Sequence, residues 1–165
     1  MSTGQLPPIP DKGVLTIDRA MLGPAIAPSA RLQVMTSDDW QQFTVIWAHG
    51  LKSKYAAIHD RGGSGDQGLD VVAWKEEEGK GPWDNYQCKH YNHPLYPSDI
   101  WLELGKLCYY VHAGVYTAPD KYYFVAPQWV GTELSKLLGN SDELRKGLVK
   151  NWDTKCMKGI TSTTD

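Results

Sequence analysis

Large apolar residues recur at Trp40, Phe43, Trp47 and Leu51, a three-to-four-residue spacing that predicts an amphipathic helix over residues 38–51. Ser37 reads as its N-cap, with Asp38 and Asp39 in the first turn, where negative charge suits the helix dipole. The periodicity then shortens. Tyr55–His59 reads as a strand, followed by strands at about 69–75 and 84–91, with Gly79, Gly81 and Pro82 between the last two as a hairpin connection requires. Pro97-Ser98 opens a second helix over 98–113, with Trp101, Leu104, Cys108 and Val111 on one face. Lys121–Ala126 is nearly continuous in apolar and aromatic residues, as buried strands are. Thr132 caps a short helix to Leu138, and Ser141 caps another that stacks Leu144, Leu148 and Trp152 on one side. Upstream of all these, Leu32–Met35 reads as a short strand. Helices interleaved with strands place the chain in the α/β class.

Proline and glycine without periodicity mark residues 1–30 as an N-terminal arm, and the tail, residues 156–165, reads as flexible. Between them, residues 31–155 form one domain. A length of 165 residues, with 41% hydrophobic and 22% charged, allows a genuine core. Three widely spaced cysteines (Cys88, Cys108, Cys156) lack a Cys-x-x-Cys pair, which disfavours a disulfide framework or a zinc site and fits a reducing cytosol. The polar, proline-containing N-terminus is unlike a signal peptide, and no apolar run is long enough to cross a bilayer, so a cytoplasmic protein without membrane contact is expected.

The chemistry concentrates between Arg61 and Tyr91. A glycine-rich loop, Arg61-Gly62-Gly63-Ser64-Gly65-Asp66-Gln67-Gly68-Leu69-Asp70, leads into Val71-Val72-Ala73-Trp74, and the following strand carries Asn85-Tyr86-Gln87-Cys88-Lys89-His90-Tyr91. Strand alternation puts Gln87 and Lys89 on one face and turns Cys88 to the other. A closed hairpin sets Asp70 beside that polar pair. A carboxylate, an amide and an ammonium together suit a site for a hard divalent ion and a phosphate. Asp70 supplies a charged oxygen, the Cys88 backbone carbonyl or the Gln87 amide a neutral one, and Lys89 a charge for water or phosphoryl oxygens.

These residues resemble the PD-(D/E)xK, or restriction-endonuclease-like, nucleases in the variant whose second acid is glutamine. Gly65-Asp66-Gln67-Gly68-Leu69-Asp70-Val71 with Tyr86-Gln87-Cys88-Lys89-His90-Tyr91 is similar to Mrr-like restriction endonucleases. It also resembles the nuclease domains of anti-phage effectors, those fused to cyclic-nucleotide sensors (CBASS) and those of Lamassu and ABC-three-component systems. The resemblance implies a restriction-endonuclease-like core with a central mixed β-sheet flanked by helices. It implies Asp70, Gln87 and Lys89 as catalytic residues, with Mg²⁺ or Mn²⁺ held by Asp70, Gln87 and the Cys88 carbonyl. It further implies DNA as substrate, a homo-oligomer when active, and a sensor domain or ATPase defence partner outside this chain. Arg61, Lys54 and His90 are the expected nucleic-acid contacts.

One departure is plain. Family members often carry a further acid on the first helix, where this chain reads Trp40-Gln41-Gln42-Phe43; Gln41, Gln42 or Asp66 stands as the supporting group. A net charge of −2 argues against strong autonomous DNA binding, because that affinity comes from phosphate neutralisation. Local clustering among Lys52, Lys54, Arg61, Lys75, Lys80, Lys89 and Lys106, or a partner, would have to supply it. The competing expectation is an inactive nuclease-fold module for assembly or nucleic-acid binding, and RNA is an alternative substrate.

Overall fold

The computed structural model describes residues 26–51, 53–63, 65 and 67–161, and its centre is a four-stranded mixed sheet. The strands are β1 (Ala57–Asp60), β2 (Val71–Trp74), β3 (Trp83–Cys88) and β4 (Lys121–Val125), ordered as in the chain. The first three run antiparallel, and β4 lies parallel to β3. The α/β class is as the pattern predicts, and a mixed sheet flanked by helices is what the resemblance implies. The β2–β3 hairpin forms as expected, its connection turning through Gly79 and Gly81, both in the left-handed region that glycine adopts without steric penalty.

Helix α1 spans Pro28–Gln33 and α2 spans Ser37–His49. The strand expected at Leu32–Met35 is therefore helical up to Gln33: Pro28, at the first turn, carries a φ suited to helix initiation. In α2 the cap is Thr36 and not Ser37, its hydroxyl accepting from Asp39 N at 3.1 Å. The buried stripe of α2 is Trp40, Thr44 and Ala48, whereas Trp47 is exposed. Small residues at two of three contact positions let this helix lie close on β1, β2 and β3. Beneath it Ala48, Tyr55, Val71, Ala73 and Tyr86 form one apolar cluster.

A 3₁₀ turn at Pro97–Asp99 leads into α3 (Trp101–His112), which carries the chain from β3 across to β4. Helices α4 (Thr132–Leu138) and α5 (Ser141–Asn151) follow, capped by Gly131 and Asn140, each one residue before the expected cap. Leu144, Leu148 and Trp152 pack as predicted, against Leu95, Ile100, Trp101, Leu134 and Cys156. Leu104 and Phe124 join that cluster, but Cys108, expected on the same face, is exposed. Strand β4 is only half-buried; among the described residues it pairs with β3 alone.

The expected tail does not begin at 156. A π-helical turn (Trp152–Met157) runs into α6 (Lys158–Thr161), burying Cys156 and Ile160. The contact with α3 is close: a methyl on Gly105 would lie 2.4 Å from Cys156 Cβ, and one on Gly159 2.5 Å from Leu102 Cδ1. Of the expected N-terminal arm, residues 1–25 lie outside the described residues, as do residues 162–165 of the tail. No described helix is long and apolar enough to cross a membrane.

Candidate active site

The antiparallel register pairs Val71 with Tyr86, so the next pair outward is Asp70 and Gln87. Asp70 stands one residue before β2 and Lys89 one residue after β3, so both leave the sheet at the same end. Gln87 Nε2 donates to Asp70 Oδ2 at 2.8 Å, and the Cys88 backbone N–H donates to the same oxygen at 2.7 Å. Asp70 and Gln87 are both buried. A carboxylate oxygen receiving two such bonds is fixed in position. The Tyr122 hydroxyl, from β4, stands 2.9 Å from Gln87 Oε1 and 2.9 Å from Gly68 O, tying the amide to the glycine loop.

Alternation holds at Cys88. Its thiol turns to the α2 side, toward Thr44, while Lys89 faces α3. Burial pushes the Cys88 thiol up to about 12, opposed by the nearby Thr44 hydroxyl and reinforced by the negative charges of Asp70 and Asp60. Such a thiol is no nucleophile at neutral pH.

Lys89 meets a residue that the sequence pattern did not single out. Its Nζ lies 2.6 Å from Glu103 Oε1, with side-chain exposures of 12% and 8%. Glu103 sits on the first turn of α3, buried between Trp101 and Gly105. Its second oxygen, Oε2, has no hydrogen-bond partner among the described residues, and Lys106 Nζ stands 3.5 Å away as an ion-pair partner. Gly68, at φ +81°, brings the loop against this corner: a methyl there would lie 3.0 Å from Lys106 Cβ and 3.6 Å from Glu103 Oε2. Only its place on the helix following the lysine-bearing strand could have pointed to Glu103.

Asp70, Gln87, Cys88, Lys89, His90, Tyr91 and Glu103 line one open cleft of about 290 Å³, with Gln41 and Trp40 on its α2 side. His90, an expected contact residue, does line the cleft, and its Nε2 lies 3.2 Å from Leu32 O. Gln42 Nε2 donates to Asp60 Oδ2 at 2.8 Å, and Gln41 reaches the other oxygen of the same carboxylate. The glutamines of α2 thus hold Asp60, at the end of β1, near the Cys88 thiol. Asp66, the other expected supporting group, lies outside the described residues.

Two expected nucleic-acid contacts lie elsewhere. Arg61 lines a neighbouring cavity of about 580 Å³ walled by Trp74, Trp83 and Tyr116. Lys54 pairs with Asp84 at 3.0 Å, at the opposite end of β3. There Asp84 and Asn85 are fully buried, and Asp84 gathers Lys54, Lys75 and the Tyr55 hydroxyl. The cations expected to cluster are instead divided among acids: Lys75 with Asp84 and Asp120, Lys80 with Glu77, Lys89 and Lys106 with Glu103. Lys52 lies outside the described residues.

Hard cations take oxygen ligands, and Mg²⁺ is commonly held by one or two carboxylates together with waters. Asp70 and Glu103 offer two, and Glu103 Oε2, buried and without a hydrogen bond among the described residues although Lys106 stands 3.5 Å away, suits such an ion chemically. Among the described residues no three or more His, Cys, Asp or Glu side chains gather as a metal site. Comparison with family models, with curated proteins and with solved structures found no match.

Proposed function

We propose that the chain is a metal-dependent endonuclease of the PD-(D/E)xK type that hydrolyses DNA phosphodiester bonds. The observation carrying this reading is the convergence of Asp70, Gln87, Lys89 and Glu103 on one cleft at the exit end of β2 and β3. The order of elements supports it: a helix, three antiparallel strands, a crossover helix and a fourth strand parallel to the third agree with the resemblance. Asp70 and Glu103 would hold the divalent ion, Glu103 taking the place of the acid that glutamine replaces at position 87. Bound there, the ion would polarise the phosphoryl oxygen and lower the pKa of a coordinated water. Gln87 serves as a positioning residue, since its amide nitrogen holds Asp70 and its oxygen meets Tyr122. Lys89, released from Glu103, would place its ammonium against the phosphoryl oxygens or the attacking water. In the reaction the water oxygen bonds to phosphorus, one ester P–O bond breaks, and the departing oxygen takes up a proton. Service as a defence effector with an outside sensor or ATPase partner, and oligomerisation when active, rest on the sequence resemblance.

The test is a plasmid-nicking assay with Mg²⁺, Mn²⁺ and EDTA on wild type and Glu103→Gln, with RNA digested alongside. Metal-dependent nicking lost in the variant supports the reading, and no cutting of either polymer in any metal ends it. The 2.6 Å ion pair that occupies Lys89 favours one alternative, an inactive nuclease-fold module for assembly or nucleic-acid binding.

A further inference from the structure

Directly after Lys89 the chain reads His90-Tyr91-Asn92-His93-Pro94-Leu95-Tyr96. Three of these side chains form a stacked column. Tyr91 and His93 have ring centroids 5.1 Å apart and planes within 9°, and His93 and Tyr96 are 5.3 Å apart and within 19°. Near-parallel, offset stacking is a favourable geometry for rings. All three are nonetheless open to solvent, Tyr91 36% and Tyr96 45% exposed, with the His93 side chain at 39%.

The column is held from below. Leu95 is buried, donates to Trp129 O at 3.1 Å and accepts from Gly131 N at 2.9 Å. Tyr96 N donates to Asp99 Oδ2 at 2.7 Å, and the Tyr96 ring packs on Gly131, where a methyl would lie 3.3 Å from Cδ1. Tyr96 is therefore the anchored end. Tyr91 is the other end, and it lines the same cleft as Asp70, Lys89 and Glu103. Two residues of chain keep its Cα within roughly 7 Å of the Lys89 Cα. Apart from His93, no aromatic ring among the described residues packs on Tyr91.

We propose that the Tyr91–His93–Tyr96 column is a stacking platform for an unpaired nucleobase, so that the cleft prefers single-stranded or frayed nucleic acid over a closed duplex. This rests on the nuclease reading and specifies the form of its substrate. Inside a duplex each base face is covered by its neighbours, so away from the ends only an unpaired base can extend the column. Charge points the same way. With Lys75, Lys80, Lys89 and Lys106 already paired to acids, phosphate neutralisation is weak, whereas base–aromatic stacking gives affinity that tolerates any sequence.

Fluorescence anisotropy in EDTA tests this on the full chain, with labelled oligodeoxythymidylate, an abasic strand of equal length and a blunt duplex. Wild type is expected to prefer the thymidylate. Tyr91→Ala should weaken that binding roughly tenfold, to the level of the abasic strand, with duplex binding unchanged and Tyr91→Trp restoring it. An oligouridylate arm distinguishes the sugar: the same Tyr91 dependence there makes the ligand the base of either polymer. Unaltered thymidylate binding in Tyr91→Ala, equal loss on the duplex, or no binding of either strand overturns the platform. The two readings fail separately: metal-dependent nicking with binding indifferent to Tyr91 removes the platform alone, whereas Tyr91-dependent binding without cutting removes catalysis alone.

Discussion

Lys89 and Glu103 form a largely enclosed ion pair at 2.6 Å, Glu103 buried and Lys89 partly so, that joins the end of β3 to the first turn of α3. Two charges held in the interior repay their desolvation only while both are present. The lysine proposed for catalysis is therefore also a structural tie between sheet and helix.

Removing Lys89 leaves the buried Glu103 carboxylate short of its counter-charge, and the loss of about 3–5 kcal/mol seen in fully buried pairs is an upper bound for this partly exposed one. Lys106, 3.5 Å from Glu103 Oε2, offsets part of it when Lys89 is removed, so Lys89→Met is expected to lose less than that. The double variant Lys89→Met/Glu103→Met should recover most of that stability and remain unable to cut. Urea denaturation and plasmid nicking on the three proteins check both halves, and full activity in the double variant would remove Lys89 and Glu103 from the mechanism.

Asp70 calls for an isosteric test. In Asp70→Ala the Gln87 amide and the Cys88 N–H both lose their acceptor, costing about 1–3 kcal/mol for each buried group left unpaired. Asp70→Asn keeps an oxygen at that position and should be far closer to wild type in stability. If Asp70 is a metal ligand, both variants lose metal-dependent nicking, and calorimetric Mn²⁺ binding falls in Asp70→Asn although its melting temperature holds.

The cluster at the far end of β3 should make stability fall at acid pH. Burial raises the pKa of Asp84, but hydrogen bonds from Tyr55, Lys54 and Lys75 outweigh it and hold the carboxyl below its usual value. A carboxyl depressed in the folded state contributes stability above its unfolded pKa of about 3.9, and this is lost as pH falls toward the folded value. Melting temperature should therefore drop steeply below about pH 4. Asp84→Asn should be less stable at neutral pH and show a shallower acid slope; an unchanged slope would remove Asp84 as its source.

Cys88 gives the opposite sign. Its thiol is raised to about 12 from an ordinary 9.0, chiefly by burial, so the stability linked to it is complete below the ordinary value and lost as pH climbs toward 12. At mildly alkaline pH iodoacetamide should spare Cys88 in the native protein and label it after denaturation. Mass spectrometry showing rapid native labelling at Cys88 would place the thiol on the accessible side of the sheet.

Much of this arrangement was legible in the chain because it is local. Glycines at 79 and 81 close the hairpin, and a period of two turns Gln87 and Lys89 one way and Cys88 the other. Antiparallel pairing then delivers Asp70 to Gln87 with no long-range information. Shorter-range choices were less decided: which of Thr36 or Ser37 caps α2 differs by one residue, and Pro28 tipped the stretch before it into helix.

What the tertiary structure alone decided lies wherever two distant elements meet. Glu103 sits on a helix whose apolar spacing gives no reason to bury a carboxylate; it is buried because α3 crosses over the end of β3 and Lys89 is there to meet it. Cys156 and Ile160 look like an unremarkable polar tail until Gly105 leaves room for the chain to return onto α3. Residue type and alternation specify which groups can face a cleft. Only the crossing of α3 over the sheet determines which charge stands opposite the lysine, because that pairing depends on contacts far apart in the chain.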